Sequence, residues 1–558
     1  HKVMSLYRLL VLELNLPGPR SVKTQTTAEV EERTKAYEQL KSMVSVPLYL
    51  EKFVAFGLLV CLNLFLTLFT LVPMKLCILV FTAVRECLLS PPHDLSVFSR
   101  KLHFVKRDVI TIALIVSTVM LLASPVLEVS RLYHDIRGQA HIKLYVMFGV
   151  LEVTDKLLSS VSLEVFTVLV GISFSDTSLR NMSKLLLFSI LALLFSACHS
   201  YALIYQSVSL HVAANSYSNA LLTLLLSNQF AELKGAVFKK FEREGLFQVT
   251  LSDLTERFQL SIMLFIIAFR NISQLNSTQL GLTPDSWKSW NKWIGAILGP
   301  SVVVLGSEIF VDWIKHCFIN KFNRIRPKVY DNFLYVLSLD FIEAFNSNLE
   351  GTAYKTSDYV KITKRIGIPI LSLSVCLFRM ILSDLKNTYI PEESTTWTVF
   401  SSLILLILSF VALVIVRLLL SLWLLQWAKH IREELASSSQ TPSTKRSSSG
   451  SPDASQLAVI DAQTLISVLN SEDPYTSPGE SEIETSFIPG VPNTESSSIN
   501  PKTRSYLYDT GEQVPPTLEE KRNAQLRKLF ETPNVLSDNL FEPLKAVHRY
   551  EMSSKRIW

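Results

Sequence analysis

Long runs without an ionisable side chain constrain this chain most. Phe53–Met74 and Val109–Leu127 contain no Asp, Glu, Lys or Arg, and Leu185–Ala231 and Trp397–Val416 are equally clean. About 20 apolar residues in a helix cross a bilayer core, and a helix bonds its own backbone groups there without water. The predicted fold class is therefore all-α: a polytopic helical membrane bundle of six to eight spans, with amphipathic interfacial helices and a disordered C-terminal tail. Composition agrees. Only 18% of the chain is charged, against about a quarter in soluble domains. Six cysteines in 558 residues are too sparse for a disulfide scaffold and show no zinc-ligand spacing. They read as small apolar residues packed between helices.

The edges of several spans stay open at this level. Leu76–Val84 follows Lys75 closely, and Pro73 allows either one kinked span or a tight re-entrant pair. The second half of Leu185–Ala231, with His211 and Asn215, reads as a weak span or a surface helix. Phe258–Phe269 is short and must borrow Leu254–Arg257. Ile294–Ile314 carries Glu308 and Asp312, and Ile366–Leu385 carries Arg379.

Three domains follow. Residues 1–50 form a polar N-terminal segment, expected to be truncated because the chain starts at His1, and they lack the apolar core of a secretory signal. Residues 51–431 form the membrane domain. Residues 432–558 form a Ser/Pro-rich cytosolic tail with a helical island at 516–550 suited to folding on a partner. Thr441-Pro442, Ser451-Pro452 and Ser477-Pro478 read either as proline-directed phosphorylation sites or as ordinary linker composition.

Lys and Arg accumulate on the cytoplasmic side of membranes. Residues 315–365 are the most basic loop, so they are assigned to the cytosol together with the tail from Lys429. That places 271–293 in the lumen, where Asn271 and Asn276 head candidate glycosylation sequons. Residues 1–50 and 85–107 are both basic, which leaves the side of the N-terminus open. The tail holds 13 Lys and Arg against 18 Asp and Glu, a net of −5, whereas the rest of the chain carries +10. The acidic tail could thus compete with anionic lipid for the basic segments 234–243 and 315–328.

Two constellations are candidates for function. Lys234, Lys239, Lys240 and Arg243 surround a helical face of Phe230, Leu233, Val237 and Phe241, suited to an anionic leaflet. Each basic residue near such a surface contributes about 1 kcal/mol. The competing reading is a basic loop packed on its own bundle, and Glu242 and Glu244 favour it. Glu308, Asp312 and Arg379 form a candidate intramembrane polar layer, read as a conduit or as interhelical pairing through Asp312–Lys315 or Glu308–Arg379. His134, Asp135, Arg137 and His141 read as a turn, because Gly138 interrupts the helix that would align the two histidines. No Walker loop, GxSxG, HExxH or GxGxxG is present. No enzyme, cofactor, metal or nucleic-acid partner is predicted; membrane lipids are the expected environment and partner.

Three blocks carry a family resemblance. LYHDIRGQAHIKLYVMFGVLEVTDKLLSS (132–160), SYSNALLTLLLSNQFAELKGAVFKKFEREGLFQVTLSDLTERFQL (216–260) and SEIFVDWIKHCFINKFNRI (307–325) resemble the transmembrane anterior posterior transformation protein family. KRIGIPILSLSVCLFRMI (364–381) and the closing RYEMSSKRIW are similar to it as well. The chain departs from the family at 159–164, where FGQD is missing. The resemblance implies a multi-pass protein of the endoplasmic reticulum membrane. It implies a SUN-domain membrane partner and protection of folding proteins, as in fungal members. It also implies cilium formation, secretory trafficking and skeletal patterning, as in animal members. It supplies no catalytic residues. The expected function is a non-enzymatic scaffold. The alternatives are a lipid-handling or transport protein using the polar layer, and an intramembrane enzyme.

Overall fold

The structure is a computed structural model. It describes Leu14 and residues 27–89, 95–123, 129–139, 141–172, 179–215, 230, 233–279, 287–349, 359–389, 396–439, 503–508 and 514–515. Every long element is a helix, with no strand among the described residues. In chain order they are α1 (Thr27–Leu89), α2 (Leu95–Leu122), α3 (Val129–Arg137), α4 (His141–Gly171), α5 (Leu179–Asn215) and α6 (Arg243–Gln279). There follow α7 (Trp287–Asn323), α8 (Val329–Leu349), α9 (Tyr359–Ile366), α10 (Ile370–Tyr389), α11 (Thr396–Ser439) and a 3-10 turn at Arg504–Leu507. The chain divides into two units, His1–Leu507 and Tyr508–Trp558, and all these elements belong to the first. The helical island at 516–550, the Leu457–Leu469 segment and the three proline-directed sites lie outside the described residues.

Among the described residues, three helices are long and apolar enough to cross a membrane: Arg33–Arg85 in α1, Leu179–Ala213 in α5 and Val399–Glu434 in α11. Ile370–Leu382 in α10 is a shorter apolar helix. By length and composition, three of the six to eight expected spans are supported among the described residues. Polar side chains account for part of the difference. The apolar middle of α6 is preceded by Asp253, Glu256 and Arg257, and α7 carries Glu308, Asp312 and Lys315.

Breaks in the helices have local causes. α1 runs unbroken through Pro47 and Pro73. At 1.5 Å per residue it is ~94 Å long, far more than a bilayer core, so much of it lies beyond the hydrocarbon. Gly138 N–H closes α3 onto the His134 carbonyl at 3.1 Å, and α4 starts afresh at His141. Gly367, at φ +83°, ends α9, with its N–H on the Thr363 carbonyl at 2.9 Å. That left-handed conformation suits glycine, and Pro369 then opens α10.

α1 is the central element, in contact with α2, α6, α7, α8 and α11, while α4 and α5 form an antiparallel hairpin against α2 and α10. The α1 core is aromatic. Phe53, Phe247 and Phe333 meet at 5.0–6.4 Å, and Phe56 lies edge-on to Phe341 and Trp427. Gly57 allows α1 to approach α6: a Cβ there would come within 2.5 Å of Leu254 Cδ2. α1 and α11 run antiparallel. Lys52 meets Glu434 at 3.9 Å, Phe56 meets Trp427 at 5.3 Å, and Arg417 reaches Thr67 at 3.3 Å. The start of α1 and the end of α11 therefore lie on the same side of the bundle, a relation the charge count left open.

Candidate functional site: a buried ion-pair network

The strongest polar feature joins α1, α6 and α7. Asp253 and Arg257 are four apart on α6, and Asp312 stands three and four residues before Lys315 and His316 on α7. Such spacings put each set on one helical face, so the two faces meet where α6 packs on α7. Arg257 Nε donates to Asp312 Oδ2 and its Nη1 to Glu51 Oε1, both at 2.7 Å. Trp313 Nε1 also donates to Glu51 Oε1, at 2.7 Å. Lys315 Nζ lies 3.0 Å from Asp312 and 2.7 Å from Asp253. His316 Nε2 meets Asp253 Oδ2 at 2.8 Å, and its Nδ1 meets the Tyr330 hydroxyl of α8 at 2.9 Å.

Arg257, Asp312, Lys315, His316 and Asp253 are all buried. Buried charges persist only when paired and hydrogen-bonded, and here cations and carboxylates alternate along the chain of contacts. A second buried set ties α4, α5 and α6: His199 Nε2 meets Asp155 at 2.7 Å, and Gln259 Nε2 donates to Asp155 at 2.8 Å.

A third set lies where α8, α9 and the 3-10 turn converge. Arg365 pairs with Asp340 and stands 5.7 Å over the Phe247 ring. Burial pushes the Asp340 carboxyl up to about 7, against the opposing pull of Arg365. The 3-10 turn packs here. Leu507 is fully buried, Tyr506 lies edge-on to Tyr335 at 5.2 Å, and Arg504 meets Glu244 at 2.5 Å. This short piece of the tail thus attaches through an apolar side chain and a cation, not through the acids that dominate tail composition.

The predicted site residues fall in separate places. Asp312 pairs with Lys315, as its spacing suggested, and with Arg257. Arg379 donates to the Leu122 carbonyl on α2, at 3.1 Å. Glu308 is half-buried on α7, one turn before Asp312. Glu51, Asp253 and Arg257 were absent from the sequence-based layer. The i,i+4 spacing of Asp253 and Arg257 was the available signal, but the short Phe258–Phe269 run disguised Arg257 as a span end.

Lys234, Lys239 and Lys240 are exposed and Arg243 is half-buried at the start of α6. Val237 is buried, whereas Phe238 is 79% exposed and packs on Phe322 at 5.7 Å. Asn323 fastens this segment, accepting from Phe241 N–H at 3.0 Å. Asn271 lies on α6, its Oδ1 3.1 Å from His211 Nε2. Asn276 lies on the same helix, and its side chain is outside the described residues.

A helical bundle with three membrane-length apolar helices, tied internally by buried ion pairs, defines a polytopic integral membrane protein. Residues 102–433 match the eukaryotic membrane protein family. The chain belongs to that family, whose named members include the transmembrane anterior posterior transformation proteins. It is 34% identical over 537 residues to endoplasmic reticulum membrane protein 65 of Saccharomyces cerevisiae, covering 93% of this chain and 87% of that protein. It is 37% identical over 379 residues to the protein of the same name from Schizosaccharomyces pombe, covering 65% of this chain and 54% of that protein. It is 32% identical over 432 residues to transmembrane anterior posterior transformation protein 1 of Mus musculus, covering 75% and 71%. The chain thus spans about half the length of the fission yeast relative. No solved structure matches it.

Proposed function

We propose that this protein is a non-enzymatic scaffold of the endoplasmic reticulum membrane, with its tail in the cytosol. Its bundle anchors a SUN-domain membrane partner and through it supports protein folding and secretory trafficking. Roles in cilium formation and developmental patterning extend the same reading to the animal relatives. On this reading α2, α4, α6, α7 and α10 join α1, α5 and α11 in the membrane, shielded by their neighbours.

The observation that carries the proposal is the closure of the ion-pair network. Asp312 is held between Arg257 and Lys315 and is 2% exposed. A conduit needs carboxylates that face water or exchange partners. A carboxylate locked between two cations acts instead as a strut that fixes how α6 and α7 cross. The transport alternative would need Glu308 to face an open path. Affinity purification of the tagged full chain from membranes, followed by mass spectrometry, tests the scaffold. Recovery of a SUN-domain protein with secretory folding factors is expected; their absence would reject the reading. Glu308→Gln should leave abundance and partner recovery unchanged. Loss of activity at normal abundance would favour transport.

A further inference from the structure

A cavity of about 140 Å³ lies among α1, α2, α4, α5 and the α9–α10 junction, away from the ion-pair network. Its body is lined by Leu64, Leu68, Leu114, Phe166, Ala192 and Leu371. Ser159, Ser162, Ser196, Thr363 and Ser372 also line it, and its two charged lining residues, Arg107 and Asp108, stand just before the apolar run Val109–Leu127. Lys75 meets Asp108 there at 3.1 Å. Lys106, the residue before Arg107, donates to the carbonyls of Val170 and Ile172 at the end of α4. The hydroxyls of Thr67 and Thr111 donate to carbonyls of their own helices, at 2.7 and 2.9 Å.

We infer that this cavity binds one anionic glycerophospholipid, its phosphate at the Arg107–Lys75 rim and part of one acyl chain in the apolar body. The chemistry of the lining selects the ligand. An apolar space of about 150 Å³ accepts a benzene-sized group. That is room for a stretch of one chain, with the rest of the lipid lying along the bundle. At the rim Lys75 and Arg107 flank the single carboxylate of Asp108, at 3.1 and 4.0 Å, and this surplus of one positive charge complements a phosphate diester with an acidic headgroup. The charge lies at the edge of an apolar run, where a headgroup meets its own chains. The site is independent of the scaffold reading: it requires neither Glu308 nor a protein partner.

The test is photolabelling of the purified full chain in mild detergent with phosphatidylserine carrying a diazirine on its acyl chain. Labels are mapped by mass spectrometry. Label is expected on the peptides of α2 and α4 that contain Leu114 and Phe166. Ala192→Phe should lower that label about tenfold, equivalent to ~1.4 kcal/mol, while labelling of the exposed face of α11 stays constant. Arg107→Gln should abolish the preference for phosphatidylserine over phosphatidylcholine. Label confined to α11 in the wild-type chain would overturn the site without recourse to any variant. So would displacement of the lipid by inorganic phosphate alone, which would assign the rim to a free anion. Equal labelling by the two lipids in the wild type would overturn the headgroup assignment.

Discussion

Arg257 has a relative exposure of 2% between the carboxylates of Glu51 and Asp312. Removing it leaves Asp312 with only Lys315, in a place water does not reach. Loss of one partner of a buried pair costs about 3–5 kcal/mol. Arg257→Ala should therefore destabilise the chain by that order, measured by denaturant unfolding in detergent. Glu51→Ala should cost less, because the Glu51 side chain is 36% exposed and water can replace its partner. Equal effects would mean that the network is not the strut described. Asp340 gives a second residue-scale test. Burial raises its carboxyl to about 7 from an ordinary 3.8. A folded pKa above the unfolded one means that the folded state holds the proton more tightly. Its contribution is therefore fully present below about 4 and is lost as pH rises towards 7. The stability difference between wild type and Asp340→Asn should shift against wild type over that window and level off above it. Melting curves from pH 5 to 8 report it, and a difference independent of pH would remove Asp340 as its source.

The helices are held by close approach as much as by charge. Gly57 brings α1 against the fully buried Leu254 of α6, with no room for a Cβ. Overpacking such a contact costs about 1–3 kcal/mol. Gly57→Ala should destabilise the chain by that amount in thermal unfolding, and Leu254→Ala in the same chain should recover part of the loss. Additive losses in the double variant would show that the two residues do not clash. α11 is built differently. Leu424, Ala428 and Ile431 are buried, whereas Leu403, Ile404, Leu405, Leu406, Ile407 and Leu408 are all at least half exposed. One end of α11 packs on α1 and α8, and the other presents apolar side chains around its circumference. Apolar content could not reveal that division, because Trp397–Val416 and Leu418–Leu425 are both runs without a charged side chain.

At the scale of the whole molecule, the antiparallel pairing of α1 and α11 has a topological consequence. The residues before Lys52 and those after Glu434 emerge on one side. The two segments therefore share a compartment, which under the proposed function is the cytosol. Single cysteines introduced at exposed Glu38 and at exposed Arg432 or Glu433 should react together with an impermeant maleimide in sealed microsomes, or remain protected together. Opposite accessibility at the two ends would contradict the pairing. The basic loops 234–243 and 321–328 lie near this same side, since α6 begins and α7 ends beside the start of α1.

The apolar runs alone determined that this chain is helical and enters a membrane, because no other local pattern hides a backbone over twenty residues. Composition determined the contrast between a basic body and an acidic tail, and spacing determined that Asp312 and Lys315 would face each other. The sequence also held the break at Gly138, since glycine between two short helical patterns is a local property. Tertiary structure decided what these pieces are for. Arg257 and Glu51 stand 206 positions apart in the chain, and only the crossing of α1 and α6 makes them partners. Arg379 donates to a backbone carbonyl of α2, a contact that only the placement of α10 against α2 supplies. The cavity draws its walls from several separate helices, so no stretch of sequence contains it. Periodicity identifies the face a helix hides; which other face it meets depends on side-chain volumes summed over the whole bundle.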